Sequence, residues 1–455
     1  MRNLERFVLK IWRGIPGARI QSLLPIICAV TVTQALMVYC IQPPRSAVIS
    51  RMAKTVVIVG AGHAAGQAVV TLRQKKYAGK IILIGAEEYY PYQRPPLSKK
   101  FLAGELAAER LFVKPPSFYD QPNIELHLGT TVTRIDLAGK AVIDADQNSY
   151  GYENLIIATG ARVRKLDVPG SGMASVYYLR DINDVTAMHQ HMHEGKRLVI
   201  IGAGYIGLEV AAVASSKGLV VTVIEMADRV MSRVVSAQVS TFYEAEHREH
   251  GVNLMLATGL AGFSGSDTVE QVDLTDGTSV AADFVLIGIG VVPNVELARD
   301  AGLDVDNGIR VDERCKTSDE FAYAIGDCTN HPNSLLGQRL RLECVHNALE
   351  QAKTAARNIC GDDFEYAQVP WFWSDQYDLK LQIAGISGGF DQTVLRGEPA
   401  SRAFSCLYLR AGQLIAIDSI NSPKDFMHSK ALIGNHAVIS PDVLANVDLA
   451  LKDMV

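Results

Sequence analysis

Two glycine-rich turns carry the clearest chemistry in this chain. Gly60-Ala-Gly62-His-Ala-Ala65 follows the apolar run Val56-Val-Ile-Val59, and Gly202-Ala-Gly204-Tyr-Ile-Gly207 follows Leu198-Val-Ile-Ile201. Each run reads as a buried parallel strand. Each cluster then lets the chain turn tightly and bring backbone N–H groups to a pyrophosphate at the N-terminus of the next helix. A single copy would say little. Two copies, each with its strand before and its apolar helix after, imply a polypeptide that binds two dinucleotides and can move hydride from a nicotinamide to a flavin.

The residues around these turns refine that chemistry. Val220-Val-Thr-Val-Ile-Glu225 is the second strand of the later unit, and a carboxylate at its end suits the two hydroxyls of a ribose while repelling a 2′-phosphate. NADH is therefore expected over NADPH, with Arg229 and Arg233 nearby pulling the other way. In the earlier unit the strand Lys80-Ile-Ile-Leu-Ile84 ends on Gly85 where an acid is usual, and Glu87 and Glu88 follow. The seven cysteines, at 28, 40, 315, 328, 344, 360 and 406, include no closely spaced pair, so neither a dithiol couple nor a zinc knuckle is expected. Their spread suits buried thiols in a reducing, cytoplasmic compartment. His189-Gln-His191-Met-His193 scatters its imidazoles round a helix, and no metal site is predicted.

Length and pattern then dictate the elements that hold these groups. With 455 residues, 48% of them apolar, the chain can bury several cores, and an α/β fold of several domains is expected. Net charge is only −5, but residues 1–51 hold seven Lys and Arg against one Glu, so the remainder is acidic and a poor match for nucleic acid. The uncharged stretch Ser22–Ile41 is long enough to span a membrane. The basic residues before it would keep the N-terminus in the cytosol and send the rest of the chain away from nicotinamide. Initiation at Met52, directly ahead of the first strand, is the expectation, with a retained anchor or targeting segment as the alternative.

Taken in order, Gly60-Ala-Gly62, Arg94-Pro-Pro-Leu-Ser-Lys99, Ala158-Thr-Gly-Ala-Arg162, Gly202-Ala-Gly-Tyr-Ile-Gly-Leu-Glu209, Thr317-Ser-Asp319 with Gly326-Asp327-Cys328, and Pro370-Trp-Phe-Trp373-Ser-Asp-Gln376 resemble the putidaredoxin reductase and palustrisredoxin reductase type of FAD-dependent ferredoxin reductase. The likeness runs from Met52 to near the C-terminus. Its most specific stretch is Pro370–Gln376. The resemblance implies two Rossmann-like, glutathione-reductase-like domains plus a C-terminal α+β interface domain. The expected division is a leader at 1–51, FAD-binding segments at 52–160 and 291–370, an NAD-binding domain at 161–290 and the C-terminal domain at 371–455.

It also implies site residues. Non-covalent FAD would meet Gly60, Gly62, Ala64 and Ala65 at the first turn, Lys99 under the flavin, and Val132 near the adenine. Thr159, Gly160, Arg162, Asp327, Val345 and Trp373 complete that set. Glu87 stands in for the ribose acid that relatives carry at the position of Ala86. NADH would meet Gly202, Gly204, Gly207, Glu225 and Gly290. His346 departs from the Pro or Gln usual beside Val345 and is expected to act through a hydrogen bond at one remove from the flavin.

The reaction implied is hydride transfer from NADH to FAD, then two single-electron steps to a two-iron two-sulfur ferredoxin that feeds a haem monooxygenase or ring-hydroxylating dioxygenase. Lys99 and Glu209 are the expected catalytic residues, paired with each other beside the reacting rings. Trp371 and Trp373 are expected at the flavin's outer edge, where a ferredoxin docks, with Lys353 and Lys380 as a local basic patch. Thioredoxin and glutathione reductase types need a close Cys pair, and the NADH peroxidase type needs a Cys near residues 85–100; this chain has neither. The remaining alternative is a flavoprotein of the apoptosis-inducing-factor type, acting chiefly through partner binding.

Overall fold

The computed structural model describes residues 54–454, and the readings that fall on the leader, its stretch 22–41 and the start at Met52 lie outside the described residues. Among the described residues no helix is long and apolar enough to cross a membrane.

The apolar runs before the glycine turns become the central strands of two parallel sheets. β1 (Thr55–Val59), α1 (His63–Gln74) and β2 (Lys80–Ile84) form the first βαβ unit, joined by β3 (Ile124–His127) and β4 (Asn154–Ile157). The second is built from β5 (Val176–Tyr178), β6 (Arg197–Ile201), α2 (Tyr205–Ser216), β7 (Val220–Ile224), α3 (Ala237–Glu249), β8 (Asn253–Met255) and β9 (Phe284–Ile287). The chain crosses over and back through an antiparallel pair of short strands, Ala161–Val163 against Val291–Pro293. β10 (Ala322–Ala324) then adds to the first sheet, and α4 (Val345–Ile359) packs on α1. The sheet orders are β10-β4-β1-β2-β3 and β8-β7-β6-β9-β5. Val56, Val57 and Ile58 are each fully buried, as a strand covered by helices on both faces requires.

The chain after residue 370 is built of antiparallel strands instead, with residues 404–409 and 414–420 buried throughout. β11 (Trp371–Gln376), β12 (Leu379–Gly385), β13 (Gln392–Glu398), β14 (Ala403–Arg410) and β15 (Gln413–Ile420) pair antiparallel in the order β11-β12-β15-β14-β13, followed by α5 (Pro423–Gly434). One face of this sheet packs under α5, through Leu407, Ile417, Phe426 and Leu432. The other face shares a core with the second unit: Leu381, Phe404 and Tyr408 pack with Val239 and Tyr243 of α3, and the same cluster takes in Leu97 and Phe101 from the first domain's loop. Each such fully buried side chain contributes about 1.5–3 kcal/mol. Three regions of the chain are thus joined by one apolar cluster, and the site lies where they meet. The architecture is the expected α/β fold with two Rossmann-like domains and a C-terminal α+β domain.

Candidate functional site

The two glycine turns superimpose in their backbone logic. Gly60 N donates to Ile84 O at 2.7 Å, and Gly202 N donates to Ile224 O at 2.8 Å. Gly60 (φ +105°) and Gly202 (φ +103°) lie where a Cβ would strike the backbone oxygen of Ala158 at 2.3 Å and of Gly288 at 2.6 Å. A side chain is excluded there by strain and by contact. A Cβ on Gly62 or Gly204 would instead point into open space, the room a pyrophosphate needs above a helix N-terminus. Ala65 is buried against the strand, and Gly207 approaches the oxygen of Gly202 too closely for any side chain.

Charge gathers at the first turn. Arg94 donates to Glu87 at 2.5 Å, to Tyr92 at 2.9 Å and to the carbonyl of Arg180 at 2.6 Å, while Tyr92 donates to the other oxygen of Glu87 at 2.5 Å. Arg180 in turn reaches Asp327 at 3.2 Å. His63 opens α1, and its buried Nδ1 has no protein partner. Burial pushes its pKa down to about 4, with Asp327 pulling upward and Arg94 adding to the depression. An orphan buried nitrogen, two guanidinium groups and an open cradle fit a dinucleotide phosphate. Glu87, expected at the ribose, is held by Arg94 and Tyr92.

At the second turn Glu225 accepts from Ala203 N and Ala227 N, each at 2.8 Å. Two backbone donors therefore fix its carboxylate at the mouth of the loop. Gly290 (φ +97°) follows β9, and its carbonyl accepts from Arg164 N at 2.9 Å. Between the domains, Thr159 Oγ1 donates to Asn294 O at 2.7 Å, Asn294 Nδ2 returns a bond to Thr159 O at 2.9 Å, and Asn294 N donates to Gly160 O at 2.9 Å. Arg162 is half exposed and paired with Glu296 at 2.9 Å. Val132 is buried in its own strand, and Val345 is the first residue of α4.

Lys99 and Glu209 come together as expected, at 2.6 Å, from the loop after Pro95–Ser98 and from α2. Glu209 is only 1% exposed, so its carboxylate needs a full set of donors. Ser98 Oγ and Ser374 Oγ supply them, at 2.5 and 2.7 Å. Nothing in the local sequence of either serine signals this role. Ser98 is the neighbour of Lys99, and strand alternation turns Ser374 and Gln376 to the face opposite Trp371 and Trp373.

On that opposite face the two tryptophans lie 5.6 Å apart, centroid to centroid. Trp371 also meets His346 at 5.5 Å and carries Lys430 Nζ at 5.8 Å over its ring. The basic group placed beside the tryptophans is thus Lys430. Lys353 is tied to Glu350 at 2.6 Å, and Lys380 pairs across the ladder with Asp375. His346 bonds Gln368 at 3.1 Å, which passes on to Glu350.

Among the described residues every cysteine is free. Burial raises the pKa of all five, Cys406 to about 11 and Cys344 to about 12, so none offers a ready thiolate. No group of three or more His, Cys, Asp or Glu able to hold a metal occurs among the described residues.

Comparison with known proteins agrees with this geometry. Residues 54–352 match the pyridine nucleotide-disulphide oxidoreductase family, and residues 371–455 match the reductase C-terminal family. A ferredoxin–NAD(P)+ reductase of Sphingomonas sp. is 43% identical over 389 residues, 85% of this chain and 94% of the relative. The crystal structure of a covalent putidaredoxin reductase–putidaredoxin complex is similar with a TM-score of 0.86 and 41% identity, covering 88% of this chain and 98% of that one. A ferredoxin reductase for the CYP199A2 system from Rhodopseudomonas palustris gives 0.85 and 41%, covering 88% and 99%. The chain belongs to the pyridine nucleotide-disulphide oxidoreductase family, and the relatives and solved structures it resembles within it are ferredoxin reductases.

Proposed function

We propose that this protein passes electrons from NADH, through non-covalently bound FAD, to a two-iron two-sulfur ferredoxin in the cytoplasm, and that the ferredoxin feeds a haem monooxygenase or ring-hydroxylating dioxygenase. The observation that carries this reading is the state of the thiols: the five cysteines among the described residues are free, with thiols that burial holds protonated, so the described part of the chain offers no disulfide to reduce, and an external electron acceptor fits it.

FAD, when bound, supplies the conversion of an electron pair into single electrons. Gly60, Gly62, Ala64 and Ala65 receive its pyrophosphate, with Glu87 and Val132 toward the adenosine end. Thr159, Gly160, Arg162, Asp327, Lys99, Val345 and Trp373 line the remainder. Gly202, Gly204, Gly207, Glu225 and Gly290 hold NADH. Lys99 and Glu209 order the contact between the two nucleotides, and Trp371, Trp373 and Lys430 form the exit surface.

The test is spectroscopic. The full chain, purified yellow, should be bleached by NADH without oxygen and re-oxidised by a two-iron two-sulfur ferredoxin. Lys430→Gln should slow ferredoxin reduction severalfold while ferricyanide turnover stays near wild type, because a small acceptor needs no docking surface. A correctly folded protein that takes up no FAD would end the reading.

A further inference from the structure

The Lys99–Glu209 pair stands at one end of a hydrogen-bonded chain that the reaction does not obviously need. Glu209 Oε1 accepts from Ser374 Oγ at 2.7 Å. Ser374 has one hydroxyl proton and spends it there, so its oxygen must accept, and Gln376 Nε2 donates to it at 3.2 Å. The carbonyl oxygen of Gln376 then faces His247 Nε2 at 2.9 Å, which requires the proton of His247 on Nε2. That leaves Nδ1 as an acceptor for the hydroxyl of Tyr377, at 3.1 Å. Every donor along Tyr377, His247, Gln376 and Ser374 points toward the carboxylate of Glu209, and aligned dipoles of this kind reinforce one another.

We infer that Ser374, Gln376, His247 and Tyr377 are a positioning relay that holds the Glu209 carboxylate on Lys99, and so makes the geometry of the nucleotide contact depend on how the C-terminal sheet seats on α3. The inference rests on the reading of Lys99 and Glu209 given above. Ser374 and Gln376 lie on β11, Glu209 on α2, His247 on α3 and Lys99 in the first domain's loop, so the relay and the ion pair it holds join three regions of the chain.

Two further observations support a built device. Tyr377 forms the two-residue turn between β11 and β12 with Asp378 and adopts φ +56°, a left-handed conformation suited to Gly or Asn and unusual for a bulky side chain. The strain is held by its surroundings: the His250 ring stacks on Tyr377 at 3.7 Å and 16°, Ser215 Oγ lies 3.3 Å from its hydroxyl, and Arg402 bridges Asp378 at 2.6 Å to Glu246 of α3 at 3.0 Å. Burial also pushes the pKa of His247 down to about 4, which keeps the neutral imidazole that the relay requires.

The experiment compares Ser374→Ala, Tyr377→Phe and Ser374→Thr in the FAD-loaded full chain, each alone and in a Glu209→Gln background. Three quantities are read: the limiting rate of flavin bleaching by NADH, the midpoint potential of the bound flavin, and Tm. The limiting rate should fall about tenfold in Ser374→Ala and about threefold in Tyr377→Phe, with the NADH concentration for half-maximal rate unchanged. The potential should move in the same direction in both, more in Ser374→Ala, and Ser374→Thr should restore rate and potential. In the Glu209→Gln background both effects should vanish, since the relay acts through that carboxylate. A lowered Tm with wild-type rate and potential would reduce the four residues to a structural clip and overturn the relay alone. Effects that persist undiminished without Glu209 would overturn it equally. If Glu209→Gln by itself changes neither rate nor potential, the assignment of the Lys99–Glu209 pair falls, and the relay with it.

Discussion

The two glycine turns share a frame and differ in what they add to it. Gly85 and Glu225 occupy the same place, one residue past β2 and β7, and each donates its N–H to the next strand, at His127 O (2.8 Å) and Met255 O (2.9 Å). In the second turn that place holds a carboxylate pinned by Ala203 N and Ala227 N. In the first, a Cβ at Gly85 would come within 2.3 Å of the Cβ of Ala61, so the equivalent acid has no room. The first residue of the following helix diverges as well: His63 faces Asp327 and Arg94, whereas Tyr205 packs at a tilt on Phe372 of the C-terminal sheet, 4.7 Å between ring centroids. The frame proposed to receive phosphate is therefore a backbone property that both turns repeat. Reading the rest of the nucleotide depends on side chains, and these have separated.

The largest effects should come from breaking the shared frame. Gly60→Ala and Gly202→Ala each force a Cβ into backbone at a positive φ, at a cost of roughly 3 kcal/mol or more. Gly60→Ala should yield colourless or unstable protein; Gly202→Ala should keep its flavin band and lose response to NADH. If both lose flavin, the two turns do not serve separate nucleotides.

Glu225→Ala should lower kcat/KM for NADH about ten- to a hundredfold, for loss of a charge-assisted bond of roughly 1.5–3 kcal/mol, and should narrow the gap to NADPH. Flavin content should not change. Equal use of the two coenzymes by the unaltered protein would remove Glu225 from coenzyme selection.

The pH response should separate His63 from Tyr205. Because the fold lowers the pKa of His63 from 6.5 to about 4, the unfolded chain binds the extra proton in that interval, and stability must fall as pH drops from about 6.5 to about 4. The most one such group contributes is about 1.4 kcal/mol per pH unit. Asp418, raised to about 7 by burial, acts oppositely, losing its contribution as pH rises from 3.8 through 7. The informative quantity is thus the difference between variants: His63→Gln should flatten the acid limb of Tm against pH, and Tyr205→Phe should not, because burial carries the phenol's pKa the other way. Identical limbs in wild type and His63→Gln would place the titration elsewhere.

The smallest effect is expected at Glu87. Its pair with Arg94 is partly exposed on both sides, so Glu87→Gln should weaken FAD retention only a few-fold, about 1 kcal/mol, by fluorescence titration. A loss as large as that in Gly60→Ala would restore Glu87 to a direct part in holding the nucleotide.

Much of this was legible before any coordinates. The apolar runs and glycine spacings specify the βαβ units because a strand buried on both faces and a turn with positive φ leave few residue choices. Glu225 was legible because it ends a strand, and cysteine spacing alone argued against a redox dithiol. Lys99 and Glu209 were reached by resemblance to a family, since nothing in their local sequence brings together two residues so far apart in the chain. Other features depended on tertiary contact. Ser98 and Ser374 complete the coordination of Glu209 from distant elements. Lys430, on α5, lies over Trp371, while Lys353 is neutralised by its own helix. The chain from Tyr377 to Glu209 exists only because the C-terminal sheet packs on α3. Periodicity and turn chemistry are local and short in range, so a sequence displays them directly; a buried carboxylate's donors are chosen by which surfaces meet after folding, and only the packed structure decides that.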